Sequence, residues 1–156
     1  MTGRVQSRRR DRGSAIIEFA ISAVVLLTVL FGIIDVGRAL YAYDWLSHSA
    51  RAATRWAMVR GNECSQLPVG CPAVANDVNS YVKNTNGNGL DTTGIDTSQL
   101  TVTMHCYVGG TVASPPPCVP RTWVNVSLAY HFQFLSPLIP LPAWDMHSSS
   151  QRIVQE

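Results

Sequence analysis

Four cysteines, four histidines and one carboxylate stranded in an apolar run are the residues of this 156-residue chain that could carry chemistry. Cys64, Cys71, Cys106 and Cys118 all follow the apolar run, where disulfides form if that part of the chain is exported. Four cysteines permit three pairings. Joining neighbours, Cys64 with Cys71 and Cys106 with Cys118, closes two short loops and is the expected arrangement, although spacing does not exclude the others. Zinc is the competing chemistry. The gaps of six and eleven residues lack the short C-x₂₋₄-C knuckle of structural zinc sites, which favours disulfides, and no metal or cofactor is expected. His48, His105, His131 and His147 are scattered, with no HExxH or GxSxG pattern around them, so they read as structural or surface residues. Asn125-Val126-Ser127 fits a glycosylation sequon, but Asn125 falls in a predicted strand and the match is read as chance. No catalytic residues and no small-molecule substrate are expected.

The stranded carboxylate is Glu18. From Ser14 to Ile34 the sequence SAIIEFAISAVVLLTVLFGII is otherwise uncharged, and its length at ~1.5 Å per residue spans about 30 Å, enough for a bilayer core. The run is longer than the apolar core of a cleavable secretory signal and continues into helical sequence, so it reads as a signal anchor. Five arginines, Arg4, Arg8, Arg9, Arg10 and Arg12, stand before it against Asp11 alone, whereas the rest of the chain is net negative within an overall charge of +2. Charge placed before a membrane span sets topology: the N-terminus stays cytoplasmic and the C-terminal part lies outside. Nucleic-acid binding would need that charge on the folded surface, and no nucleic-acid partner is expected. A carboxylate within a span costs roughly 2.5 to 3.5 kcal/mol at the centre and less near an end, so Glu18 either reaches headgroup water or has a function.

The elements that must position these groups follow from periodicity. Val36, Leu40, Tyr43, Ala50, Ala53 and Ala57 recur at helical steps and predict one helix from Ser14 to about Arg60, packed along that stripe and stopped by Gly61 and Asn62. The orientation of Trp45 and Trp56 is not fixed by this pattern. Val74, Val78, Tyr81 and Val82 predict a short helix opened by Pro72. Residues 84–96, NTNGNGLDTTGID, are turn-forming and carry no phosphate-cradle spacing. Leu100, Val102, Met104, Cys106 and Val108 alternate with polar neighbours, as do Val124, Val126, Leu128, Tyr130, Phe132 and Phe134, which predicts two strands with one apolar face each. The intervening 109–121 segment, with Pro115, Pro116 and Pro117, is too long for a tight hairpin and is expected to be closed by Cys106 with Cys118. Pro137, Pro140 and Pro142 precede a weaker final strand over 145–154.

Gly13 ends the basic stretch, Ser14 begins the apolar helix, Glu18 follows five residues after the glycine, and Phe19 comes next. This arrangement resembles the processing site of type IV prepilins, in which a membrane peptidase cuts after the glycine and the fifth mature residue is Glu. More narrowly, GSAIIEFA, FGIIDVGRALYAYDWLSHSARAATRWA and the late HFQFLSPLIPLP together resemble the TadE-like pseudopilins of tight-adherence (Flp) pilus systems. There is no room for the von Willebrand-type domain of the larger TadG relatives, so TadE or its partner TadF is the nearer likeness. Phe19 stands where the major Flp pilins usually have Tyr, and those pilins are far shorter, which argues against the main filament subunit.

The resemblance implies an α+β, pilin-like fold, a long N-terminal helix laid on a small antiparallel sheet. It implies a leader over residues 1–13, a transmembrane helix over 14–34 and an extracytoplasmic domain over 35–156. It assigns processing to Gly13 and Ser14 and assembly to Glu18 and Phe19. The expected partners are a prepilin peptidase, other pilin-like subunits, the assembly machinery and the inner membrane. A permanently anchored extracytoplasmic binding or adhesion module, presenting its Pro-rich and Gly/Asn-rich loops, is the alternative.

Overall fold

The computed structural model of the chain describes residues 8–61, 72–112, 118–135 and 142–155, with side chains from residue 13 onward. Cys64, Cys71, the three consecutive prolines, Pro137 and Pro140 lie outside the described residues. The architecture is α+β: a long apolar N-terminal helix followed by a small antiparallel sheet. Helix α1 spans Arg8–Met58, and the chain divides into two compact units, Met1–Arg38 with Phe134–Pro142, and Ala39–Gln133 with Ala143–Glu156.

The first unit holds the apolar part of α1. Ile16, Phe19, Ile21, Leu26 and Ile33 are each more than 60% exposed, and nothing among the described residues covers the most apolar window. Such a surface is stable only against lipid or protein, and this helix is long and apolar enough to cross a membrane. The helix begins at Arg8, six residues before the predicted start at Ser14. Arginine is a good helix former, so the basic residues extend the helix at little cost.

In the second unit the sheet has the order β2-β1-β3-β4, with β1 over Leu100–Val108, β2 over Thr111–Val112, β3 over Trp123–Phe132 and β4 over Trp144–Ile153. Every pairing is antiparallel. In β1–β3 the register sets Leu100 against Tyr130, Met104 against Val126 and Cys106 against Val124, so the alternating apolar residues share one face. Val124, Val126, Leu128 and Phe132 are at most 2% exposed, and Met146 adds to this face from β4. The predicted strands are therefore present, with Phe134 lying beyond the end of β3.

The 109–121 segment does contain a tight hairpin. Gly109 (φ 60°) and Gly110 (φ 87°) form a two-residue turn that pairs Val108 with Thr111 and creates β2. Two adjacent residues at positive φ suit the right-handed twist of the flanking strands, and glycine alone adopts them without strain. A Cys106–Cys118 disulfide closes the segment across a Cα separation of 5.4 Å.

The C-terminal part of α1 buries Ala42, Leu46, Ser49, Ala50, Ala53, Thr54 and Ala57. The predicted stripe holds at Ala50, Ala53 and Ala57 and fails at Val36, Leu40 and Tyr43, which are 57%, 66% and 59% exposed. The helix carries apolar residues on two faces, and only packing decides which one enters the core. Alanines let the helix backbone approach closely, so the buried Thr54 hydroxyl sits 2.7 Å from the Ala50 carbonyl and 3.2 Å from the Ser150 carbonyl on β4.

Helix α1 ends at Met58, two residues before the predicted stop, and tertiary partners satisfy its terminal carbonyls. The Gln155 N–H donates to the Met58 carbonyl at 3.2 Å and the Ala73 N–H to the Arg60 carbonyl at 2.8 Å. Helix α2 spans Ala75–Val82 and buries Val78 and Val82 against the sheet side facing β1. It opens at Val74 rather than Pro72. The Asp77 carboxylate accepts the Val74 N–H at 3.1 Å and thereby caps a terminus whose valine has no capping side chain.

Candidate functional site

The site residues expected from sequence lie on the exposed apolar stretch of α1. Gly13, Ser14, Glu18 and Phe19 are all exposed and helical, with Phe19 at 75%. Among the described residues, no atom beyond the adjacent helix backbone lies within 4 Å of where a Gly13 side chain would begin. Because α1 runs through Gly13, this segment must unwind before an extended strand could enter a peptidase, and glycine lowers the cost of unwinding by about 1 kcal/mol relative to alanine. Glu18 lies one turn beyond Ser14 on the same helix.

At the other end of the apolar run is a cluster that sequence reading missed. Asp35 is 4% exposed. Its Oδ1 accepts from an Arg38 guanidinium N–H and from the Leu135 backbone N–H, each at 3.1 Å. A buried carboxylate requires such partners, and here they tie the start of the 134–142 segment to the helix within the first unit. The signal was legible: a lone Asp directly after the span, with Arg at i+3, in IIDVGR.

In the second unit, two aromatic donors one turn apart hold the 91–99 segment to α1. The Tyr41 hydroxyl donates to the Thr93 carbonyl at 2.8 Å, and the Trp45 indole N–H to the Asp91 carbonyl at 2.6 Å. The segment is also braced internally. Asp91 accepts the hydroxyl and backbone N–H of Thr93, and Asp96 those of Ser98, which holds both carboxyls below the usual aspartate range. Farther along α1, Trp56 stacks on Tyr81 at 5.1 Å between ring centroids, and the Arg60 guanidinium lies 4.2 Å from the indole centroid. Partial burial lowers the Arg60 pKa, with the nearby Tyr81 acting in the opposite sense.

His105, His131 and His147 lie on the outer face of the sheet, the register leaving their side chains opposite to the buried set. His131 Nδ1 is 2.6 Å from Asp145 Oδ1 across β3–β4, and His48 is 3.7 Å from Asp44 on α1. Among the described residues, no group of three His, Cys, Asp or Glu side chains is placed to hold a metal ion.

A family model described as TadE-like protein matches residues 13–55, from Gly13 through Glu18, Asp35, Arg38, Tyr41 and Trp45 to Arg55. The match covers the N-terminal helix alone, about a quarter of the chain, and over that stretch the chain is similar to TadE-like proteins. No curated protein and no solved structure matches the chain. The long apolar N-terminal helix is compatible with a single-pass membrane anchor.

Proposed function

We propose that the chain is a pseudopilin or minor pilin that takes part in assembling a tight-adherence pilus after a prepilin peptidase removes its basic leader. The observation that carries this is Glu18: the one charged side chain between Ser14 and Ile34, exposed on apolar helix, five residues after Gly13 and inside the TadE-like match. Cutting after Gly13 creates an α-amino group on Ser14, largely protonated at neutral pH. The Glu18 carboxylate lies within about one turn of that amine in the same helix, and a neighbouring subunit shifted along a filament brings its own terminal amine equally near. Apolar surroundings strengthen such a pair and penalise either charge left alone, which favours one axial register as a subunit leaves the membrane. In this reading the N-terminus faces the cytoplasm and the sheet-bearing unit lies outside.

The continuous helix across Gly13 favours a second reading, a permanently anchored extracytoplasmic module with an intact leader. N-terminal sequencing of assembled protein separates the two, with Ser14 expected and Met1 or Thr2 contradicting processing. Gly13→Leu is expected to block the cut. Glu18→Ala is expected to insert and be cleaved normally yet fail to enter pili when it replaces the native copy. Normal pili at normal protein level would leave Glu18 an interfacial residue without an assembly role.

A further inference from the structure

A depression of about 310 Å³ opens on the second unit, between the C-terminal end of α1, helix α2 and the Asn-rich turn that follows α2. Its apolar wall is the Trp56–Tyr81 stack, with both rings half-buried. Its polar wall is formed by Ser80, Asn86 and Asn88, whose side chains make no hydrogen bond to the described protein. We propose that this depression binds a neutral saccharide of one or two residues.

The chemistry of the lining selects that class. Arg60 and Asp77 bring one charge of each sign, so the site as a whole attracts neither anions nor cations. Arg60 is moreover engaged with the indole and donates to the Trp56 carbonyl at 3.2 Å. A purely apolar ligand would strip water from Ser80 and two amides and give nothing back. Each amide offers donors and an acceptor together, and a hydroxyl is likewise both, so a polyol satisfies them in either direction. The C–H faces of a pyranose match the aromatic wall, and the volume lies at the small end of the roughly 300 to 1,000 Å³ range of ligand sites.

The turn is built before any ligand arrives. The Leu90 N–H donates to the Tyr81 carbonyl at 2.9 Å, and the Thr85 N–H to the Ser80 carbonyl at 3.1 Å. Asn84, at φ 52°, accepts the Gly89 N–H on its side-chain oxygen at 2.8 Å. Gly89 comes so close to α2 that a Cβ there would run into the Tyr81 carbonyl oxygen and stand 2.9 Å from the Asn84 Cα. A turn locked in this way presents Asn86 and Asn88 beside Tyr81 with little ordering left to be lost on binding.

The test is titration of the full-length, ¹⁵N-labelled protein in dodecylphosphocholine, a detergent without a sugar headgroup. The probes are glucose, galactose, mannose, N-acetylglucosamine and the disaccharides cellobiose, maltose and chitobiose. At least one is expected to give saturable shifts at the Asn86 and Asn88 side-chain amides and the Trp56 indole, with a dissociation constant of about 1 mM. Asn88→Ala, and independently Ser80→Ala, should weaken that binding about tenfold while leaving the strand resonances in place. Absence of saturable shifts up to about 50 mM with every probe would overturn the proposal. So would shifts mapping elsewhere, or undiminished binding in an Asn86→Ala/Asn88→Ala double variant. These readouts are independent of pilus assembly.

Discussion

Replacing Asp35 with alanine removes, among the described residues, the acceptor of the Leu135 N–H and a partner of the Arg38 guanidinium. The hydrogen bond to a charged, 4% exposed carboxylate contributes roughly 1.5 to 3 kcal/mol to holding Leu135 in place. The Arg38 side chain is 45% exposed, so solvent screening limits the ion pair to at most about 1 kcal/mol. Together these amount to about 1.5 to 4 kcal/mol, or a roughly 10- to 1,000-fold increase in the open population at residue 135. Amide hydrogen exchange of the full chain in micelles reads this quantity directly at Leu135. Exchange at Val126, whose amide lies in the central strand β3, should be unchanged in the same sample and serves as the internal reference. Asp35→Asn keeps a side-chain oxygen and loses the charge, so its effect should fall between wild type and alanine. Equal Leu135 exchange in all three proteins would show that the carboxylate does not hold this segment.

The remaining predictions concern the second unit. Leu46→Ala, at a position 0% exposed, should cost about 2 to 5 kcal/mol in urea unfolding, whereas Leu40→Ala, at 66% exposure, should stay within about 0.5 kcal/mol; reversed magnitudes would restore the sequence-derived stripe. Asp91 has a folded pKa held below its unfolded value by the Thr93 hydroxyl and N–H, so its stabilising effect is complete above the unfolded value and is lost as pH falls through the folded one. Carboxyl NMR titration should show the Asp91 midpoint rising in Thr93→Val, with the Trp45 indole resonance following the same acid transition because its N–H donates to the Asp91 carbonyl. A midpoint indifferent to Thr93 would remove that hydroxyl as the cause.

Most of the element order was legible because it rests on local periodicity. The two long inner strands carry a period of two that survives any packing, and the apolar run from Ser14 to Ile34 is read from composition alone. The hairpin at Gly109–Gly110 was also written in the sequence. The proline-rich segment behind it lengthens the apparent loop and masks the turn signal. Gly13, Ser14, Glu18 and Phe19 stand out in the sequence by their spacing, and in the structure they share one uninterrupted helix.

What sequence alone determined, then, is the apolar helix with its flanking charge, the spacing from Gly13 to Glu18, the alternating strands and the four cysteines, all properties of neighbours in the chain. The tertiary structure decided the rest. It chose Ala42, Leu46 and Ser49 over Val36, Leu40 and Tyr43 for the core, because a helix with two apolar faces is amphipathic in both directions until a sheet is laid on one. It brought Leu135 to Asp35, a hundred residues apart, and Asp91 to Trp45. It stacked Tyr81 on Trp56 beside a turn whose glycine must pass within contact of a carbonyl. Such pairings depend on backbone groups and on loop closure over long separations, and those leave no periodic trace in a sequence.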